Sequence, residues 1–156
     1  MHLASDFMLV AIEEAMKASK VGDVPVGSVI VKNNDIISKG HNKVQLLNNP
    51  LFHSEIMAIN SAVSTLGTKY LTDCDMYVTL EPCSMCAGAI VLSRIRRLYI
   101  GTEDTKNGAC GSIFNIVQDK RLNHYTEIYF GINEEKCKDL LTFFFKDIRK
   151  TKDQPL

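Results

Sequence analysis

The sequence lacks both an excess of charge and a long apolar run. Its 156 residues carry 18 basic and 18 acidic side chains, so the overall charge gives no reason to expect a nucleic-acid partner. No apolar run approaches the length of a membrane span, and residues 1–6 lack the charged start of a secretory signal. These absences predict a cytoplasmic protein that does not contact a membrane.

The sequence also has few cysteines and no internal repeat, linker or low-complexity segment. Its five cysteines are an odd number, which argues against a disulfide framework and fits a reducing compartment. The length is that of one domain with a proper core. We predict a single domain over residues 1–150 and a short C-terminal tail over residues 151–156.

The residues that are present are organised around positions 79–90, which read Thr-Leu-Glu-Pro-Cys-Ser-Met-Cys-Ala-Gly-Ala-Ile. An apolar run leads into this segment and a helix-forming run follows it, which indicates a strand, a sharp turn and a helix. Pro82 suits the first turn of that helix, and Cys83 and Cys86 would then share one face of it. Because the N-terminus of a helix favours thiolates, this pair predicts a metal site.

The segment His53-Ser54-Glu55 offers a partner for the two cysteines, at the start of a second helix. The first residue of a helix need not be helical, so His53 could bind the metal while Glu55 leans over it. One His and two Cys make three ligands, the number that leaves a tetrahedral zinc an open position for water. Glu55 is a hard oxygen donor, better suited to move a proton than to complete this ligand set.

Each half of this pattern has a simpler interpretation. A single Cys-x-x-Cys is often a redox pair or half of a structural zinc site, and a single His near a helix start is usually a polar surface residue. Structural zinc sites close with a fourth Cys or His. Cys74, Cys110 and Cys137 could each close the site, but none lies in a second paired motif. The spacing therefore favours a catalytic zinc.

The hydrophobic pattern predicts a mixed α/β fold. The tight turn at residues 33–35 indicates an antiparallel hairpin, whereas the helix between the third and fourth strands indicates a parallel pair with a right-handed crossover. We predict a three-layer α/β/α domain, with a mixed five-stranded sheet and helices on both faces. The predicted helices cover residues 5–20, 53–66, 82 onward, 113–117 and 134–150, and the predicted strands cover residues 24–31, 36–40, 76–80, 97–101 and 127–131.

Two loops and two basic clusters offer further candidates for binding. The Gly-rich loop 104–112 follows the end of a strand, where open α/β sheets place ligands, and Asn42 precedes the His53 helix with an amide that could contact a base or sugar. An ordinary flexible loop and a turn-capping asparagine are the alternatives. On charge alone a solvated helix face is the better interpretation of both basic clusters, which are Arg94, Arg96 and Arg97, and Lys146, Arg149, Lys150 and Lys152.

Together these motifs resemble the cytidine deaminase-like superfamily, whose signature is His-x-Glu followed by Pro-Cys-x-x-Cys. Within it the chain resembles the bacterial tRNA-specific adenosine deaminases, nearly from end to end. The shared core includes Val24-Pro25-Val26-Gly27, Asn42 and Ser93-Arg94-Ile95. The segment Asp104-x-Lys106-x-Gly108-Ala109-x-Gly111-Ser112 and the final helix with Phe144-Phe145 are closer to the tRNA enzymes than to deaminases of free bases.

The resemblance implies a reaction and a set of roles. One zinc ion per subunit would be held by His53, Cys83 and Cys86. Glu55 would take a proton from the attacking water, deliver it to N1 of adenine and then protonate the departing ammonia, which converts adenosine to inosine at the wobble position of a tRNA anticodon.

The resemblance also implies how the substrate is held. Val26 and Asn42 would line the adenine and ribose pocket, and a homodimer would bind the tRNA anticodon stem-loop across both subunits. The contacts to the anticodon loop would come from Asp104, Lys106 and Phe145. Ser54 stands where the family usually has Ala, and a hydroxyl beside the base pocket could alter substrate fit.

Two other functions also fit the sequence. One is a deaminase of a free base such as guanine or cytosine, against which the 104–112 loop and the basic final helix argue. The other is a non-catalytic zinc module that binds RNA or a partner subunit. Glu55 weighs against this module, because a scaffold has no use for a carboxylate over an open metal position.

Overall fold

Four helices and five strands lie along residues 3–153, which are the residues that this computed structural model describes. Met1, His2 and residues 154–156, which end the predicted tail, lie outside it. The helices are α1 (Ala4–Lys20), α2 (Ser54–Leu66), α3 (Ser84–Ser93) and α4 (Glu134–Lys152). The strands are β1 (Gly27–Lys32), β2 (Asp35–His41), β3 (Asp75–Leu80), β4 (Arg97–Thr102) and β5 (Glu127–Phe130).

The strands form one mixed sheet in the order β2-β1-β3-β4-β5. Strand β1 runs antiparallel to both β2 and β3, whereas β3, β4 and β5 are parallel. Asn33 and Asn34 both have positive φ, the conformation that a tight hairpin between β1 and β2 requires. The predicted hairpin, the parallel pair and the mixed five-stranded sheet are confirmed.

The helices cover the two faces of the sheet. On one face α1 packs Phe7 and Met8 against Val29 and Tyr77, with Cys137 of α4 in the same cluster. On the other face α2 and α3 bury their apolar side chains against the central strands, as Ile59 and Ile90 do. The predicted three-layer arrangement is therefore confirmed.

Close packing brings the N-terminus of α2 onto the sheet. A Cβ atom at Gly40 in β2 would collide with the backbone of Ser54 and Ala58, so only glycine permits this approach. The buried hydroxyl of Ser54 forms a hydrogen bond of 2.7 Å with the hydroxyl of Ser28 in β1. Since α3 starts just after the neighbouring strand β3, both helices begin at the same edge of the sheet.

Some local predictions were wrong. Residues 113–117 form no helix, because the backbone N–H groups of Ile113 and Phe114 both donate to the Gly108 carbonyl and so close the loop on itself. Helix α1 begins at Ala4, one residue before its predicted start. Asn133 stands at the start of α4, but its side-chain amide donates to the Ser5 carbonyl and ties the two helices together.

The aromatic run 143–145 in α4 is mostly exposed. Phe144 is buried, but Phe143 and Phe145 are 68% and 44% exposed. Successive helical residues point about 100° apart, so one face of α4 cannot bury all three rings. Helix α4 continues to Lys152, two residues into the predicted tail. Among residues 3–153, no helix combines the length and the hydrophobicity that crossing a membrane requires.

A buried carboxylate links α1 to the edge strand β2. Glu14 forms an ion pair of 2.6 Å with Lys17 and a hydrogen bond of 2.9 Å with Nδ1 of His41. Burial alone would raise the pKa of the Glu14 carboxyl, but these two partners outweigh it and hold the pKa below its ordinary value. The stabilisation is therefore complete above the ordinary pKa of a carboxyl and is lost as the pH falls through the lowered pKa.

We expect Glu14→Ala to lower the free energy of unfolding by about 1–3 kcal/mol at neutral pH, because the bonds of a buried acceptor are lost. The difference from the wild type should shrink in acid. Urea denaturation of both proteins across the acid range measures this. Lys17→Ala, at an exposed position, should cost less than about 1 kcal/mol. A deficit that persists unchanged in acid would contradict the assignment.

Candidate metal centre and active site

The first two predicted ligands lie at the starts of α2 and α3. His53 is the N-cap residue of α2 (φ −75°, ψ 154°) and Cys83 that of α3 (φ −72°, ψ 177°), so neither is helical. Neither side chain caps its own helix, which leaves both free for another role. Pro82 lies just before this N-cap rather than within the first turn of α3.

Asn42 takes over the capping that His53 does not provide. Its Oδ1 accepts a hydrogen bond of 2.8 Å from the backbone N–H of Ser54, the first residue of α2. This bond satisfies one of the amide groups that a helix start leaves without a partner. Asn42 therefore helps to fix His53 in its extended conformation, with the imidazole directed toward the two thiols.

The three predicted ligands converge. Nδ1 of His53 lies 3.5 Å from Sγ of Cys83 and 3.6 Å from Sγ of Cys86, and all three donor atoms lie within 4.8 Å of one another. Bonds of ~2.3 Å to sulfur and ~2.0–2.1 Å to nitrogen at a tetrahedral angle separate the two donors by about 3.6 Å. The spacing and the chemistry of this donor set therefore fit zinc.

Electrostatics in the cluster favour a thiolate. The hydrogen bond from Cys86, and after it the imidazole of His53, outweigh burial and lower the pKa of Cys83 to about 4. The hydrogen bond with Cys83 and burial raise the pKa of Cys86 in turn. A cation placed among the three donors would favour loss of the remaining thiol proton, since metal ligands bind as thiolates.

Glu55 lies beside the cluster but outside it. One carboxylate oxygen is 3.3 Å from Sγ of Cys86, yet Glu55 does not join the group of donors that lie within 4.8 Å of one another. The residue is 4% exposed, and burial raises the pKa of its carboxyl. A buried carboxyl with a raised pKa next to a metal site suits a group that accepts and returns a proton.

The other three cysteines do not belong to this group of ligands. Within residues 3–153, His53, Cys83 and Cys86 form the one group of His, Cys, Asp and Glu side chains arranged to hold a metal ion. Cys74, Cys110 and Cys137 are buried, and none of them joins the group. No fourth ligand from the described residues closes the site, which agrees with an open catalytic position and not with a structural zinc site.

The group of candidate metal ligands opens into a cleft of about 800 Å³. His53, Glu55 and Cys83 line it, whereas Cys86 lies behind them and is fully buried. The cleft wall contains the other five residues that the resemblance implied for substrate contact, which are Val26, Asn42, Asp104, Lys106 and Phe145. The structure thus brings together residues from six separate segments of the chain.

Ser54 does not lie in the cleft, so the expectation of a hydroxyl beside the base pocket was wrong. Its side chain is fully buried and is bonded to Ser28 in the sheet. This follows from its place between His53 and Glu55 on the first turn of α2, because those two neighbours turn toward the cleft.

Asp104 shapes the loop in which it lies. Its Oδ1 accepts hydrogen bonds from the backbone N–H groups of Lys106 and Asn107, at 3.0 and 3.1 Å. These bonds form a tight turn over residues 104–107, which we call the Asp104 turn. The turn exposes the Lys106 side chain at the cleft wall.

The sequence did not predict a role for two carboxylates, those of Asp23 and Glu81, which are buried and hydrogen-bonded to loops. Asp23 accepts hydrogen bonds from the backbone N–H groups of Gln45 and Leu46, and Glu81 accepts four from the loop that carries the Asp104 turn. Glu81 had one usable signal, since it is an acidic residue directly after a buried parallel strand. A carboxylate in such a place requires donors.

Comparison with known proteins places the chain in a family. The family model of the cytidine and deoxycytidylate deaminase zinc-binding region matches residues 1–102, which include His53, Glu55, Cys83 and Cys86. The chain is 43% identical over 146 residues to the tRNA-specific adenosine deaminase of Bacillus subtilis (strain 168), covering 94% of this chain and 91% of that relative. The chain belongs to the tRNA-specific adenosine deaminase family.

Solved structures agree with membership of the tRNA-specific adenosine deaminase family. One from a study of A-to-I editing by tRNA:A34 deaminases at the wobble position aligns with a TM-score of 0.84 and 39% identity, over 87% of this chain and 99% of that chain. A guanine deaminase from Bacillus subtilis is also 39% identical, but its TM-score is 0.62 and 64% of each chain is covered. The predicted cytidine deaminase-like fold is confirmed.

Proposed function

We propose that this protein hydrolyses adenosine to inosine at the wobble position of a tRNA anticodon and releases ammonia. One observation carries the proposal. The donor set of His53, Cys83 and Cys86, with the buried Glu55 beside it, lies at the floor of a cleft whose wall holds the Asp104 turn and Phe145. The family to which the chain belongs supports the same reaction.

The metal is proposed to be zinc, one ion per subunit. His53 Nδ1 and the two cysteine sulfurs would hold it, as the donor spacing supports. When bound, zinc acts as a Lewis acid that makes a coordinated water acidic enough to react near neutral pH. The remaining steps fall to side chains of this chain.

Glu55 is proposed to carry the proton through both halves of the reaction. It takes a proton from the water as the oxygen attacks C6 of adenine, and it delivers that proton to N1. It then takes the second proton of the water and gives it to the amino group, so that the C6–N bond breaks and ammonia leaves. The raised pKa of the Glu55 carboxyl supports this role, because the proton must be held between steps.

The cleft wall supports an RNA substrate. The target base must leave its stack to reach a buried site, and a base in an anticodon loop is easily unstacked. We propose that Val26 and Asn42 line the base and ribose pocket, while the Asp104 turn with Lys106 contacts the backbone. Phe145 is 44% exposed in the cleft wall and offers a ring on which a neighbouring base can stack.

The two basic clusters differ in what they can offer RNA. Arg96 pairs with Asp75 through two hydrogen bonds of 3.0 Å, and Arg97 pairs with Glu127, so much of the first cluster is engaged within the protein. The second cluster lies on the last turns of α4, next to Phe145 and Ile148 of the cleft wall. We propose that this end of α4 contacts phosphates of the stem.

We further propose that the protein works as a homodimer in the cytoplasm. The resemblance to the family carries the dimer. The cytoplasmic location follows from a tRNA substrate and from the five free cysteines, which suit a reducing compartment.

Deamination of free guanine is the second candidate, because a guanine deaminase shares 39% identity over part of the chain. A panel of substrates separates the two. The purified, zinc-loaded protein is incubated with total bacterial tRNA and with free guanine, cytosine and adenosine, and inosine and ammonia are measured. We expect inosine in tRNA and no ammonia from the free compounds. Ammonia from guanine with unmodified tRNA would overturn the proposal.

A further inference from the structure

Glu81 is a buried carboxylate that connects the metal site with the Asp104 turn. It lies between the end of β3 and Pro82, two residues before Cys83, and is 2% exposed. The reaction described above gives it no role.

Within residues 3–153, all the hydrogen bonds that the Glu81 carboxylate accepts come from one loop. Its Oε1 accepts from the backbone N–H of Asp104 at 3.1 Å and from the hydroxyl of Ser112. Its Oε2 accepts from the backbone N–H groups of Cys110 and Ser112, each at 3.1 Å. One side chain thus holds both ends of the loop 104–112. Hydrogen bonds to a charged, buried acceptor are stronger than neutral ones.

The loop wraps closely around this carboxylate. A Cβ atom at Gly108 would collide with the Glu81 carboxyl and with the Asp104 carbonyl, so glycine permits the approach. The loop contains no helix and one isolated bridge, between Cys110 and Asn115. Backbone hydrogen bonds also support the loop, such as the one of 2.9 Å from the N–H of Ala109 to the Pro82 carbonyl, and the Glu81 carboxylate joins its two ends.

A chain of hydrogen bonds connects Glu81 with the cleft wall. The amide of Asp104 is held by Glu81, and the Asp104 carboxylate in turn holds the amides of Lys106 and Asn107. Leu80 and Cys83, on either side of Glu81 and Pro82, line the same cleft. Glu81 therefore sets the position of the Asp104 turn relative to the metal-binding turn.

We propose that Glu81 is a positioning residue for RNA recognition, which places Lys106 at the correct distance from the reacting base. The inference rests on the proposed function and adds a residue to it. Because Glu81 acts on substrate contact and not on the proton transfer, its loss should raise KM for RNA and leave kcat nearly unchanged.

The test compares Glu81→Ala, Glu81→Gln and Ser112→Ala with the wild type. For an anticodon stem-loop we measure KM, kcat, the Kd in the absence of turnover, and the zinc content. Glu81→Ala should raise KM and Kd about tenfold or more, since it removes several charge-assisted bonds. Ser112→Ala should raise them less. Glu81→Gln should raise KM and Kd by an intermediate factor. Its amide oxygen can still accept hydrogen bonds from the backbone N–H groups of Cys110 and Ser112, while its NH₂ group can donate to the Ser112 hydroxyl.

Glu14→Ala is the matched control, because it also removes a buried carboxylate but lies in the α1–β2 link. It should leave KM unchanged. Combining Lys106→Ala with Glu81→Ala should raise KM by less than the product of the single effects, because Lys106 is already displaced. Even if Glu81→Ala fails to fold, Glu81→Gln and Ser112→Ala permit the same comparison.

The possible outcomes separate the claims. Loss of zinc and kcat with an unchanged KM would show that Glu81 serves the metal-binding turn, and independent effects of Lys106 and Glu81 would show that they do not cooperate. Either result overturns the inference and leaves the proposed function standing. A wild-type protein that neither binds nor deaminates the stem-loop overturns the proposed function and the inference with it.

Discussion

Glu55→Ala is expected to lower kcat by about 10²-fold or more and to leave the zinc content near one ion per subunit. The carboxylate lies outside the donor group, so its removal leaves His53, Cys83 and Cys86 intact. The proton path is lost with Glu55, whose carboxylate lies 3.3 Å from Sγ of Cys86. Within residues 3–153, no other Asp or Glu side chain forms a hydrogen bond with His53, Cys83 or Cys86.

Glu55→Gln sharpens this prediction. The amide keeps the shape of the side chain, so the cleft should keep its form, yet an amide cannot carry a proton. We expect it to lose as much activity as the alanine variant. Single-turnover deamination of an anticodon stem-loop measures the chemical step, and elemental analysis measures zinc. Substantial activity in either variant would remove Glu55 from the mechanism.

Cys83→Ala is expected to abolish both zinc binding and turnover. It removes one of three protein ligands, and the two that remain cannot hold a catalytic zinc firmly. A ligand that binds only the folded state stabilises it, so zinc should raise the melting temperature of the wild type. The same addition should have little effect on Cys83→Ala. Zinc content, melting temperature with and without zinc, and turnover test the three consequences.

Cys137→Ala is the matched control for this prediction. Cys137 is also a buried free cysteine, but it packs with α1 and the sheet on the opposite face from α2 and α3. Its replacement should cost some stability through a small cavity and leave the zinc content and kcat near the wild type. An active Cys83→Ala protein without metal would refute the assignment of the site.

The parts of the fold that follow from local chemistry could be predicted from the sequence. Two asparagines with positive φ form the β1–β2 turn, and the Cys83 helix makes β3 and β4 parallel. The convergence of the three candidate metal ligands was predictable for the same reason, since they stand at two helix starts that follow from nearby sequence signals. His53 is the non-helical N-cap residue that the sequence analysis allowed for, whereas Cys83 was predicted within the first turn of its helix and is instead the N-cap residue of α3.

The parts that depend on distant partners could not be predicted. The donors that hold Glu81 come from positions 104, 110 and 112, and their meeting depends on the loop path. The same loop draws the amides of Ile113 and Phe114 to Gly108, which prevents the predicted short helix. Each case requires tertiary contacts that a local pattern does not contain.

The most direct test of wobble-position deamination uses RNA stem-loops that carry a single loop adenosine. A stem-loop with adenosine at the wobble position is compared with one that carries adenosine at a neighbouring loop position, under single-turnover conditions with zinc-loaded protein. We predict inosine at the wobble position, with one ammonia released per inosine, and no reaction at the neighbouring position. Equal reaction at both positions, or ammonia from free guanine and none from either stem-loop, would contradict the account.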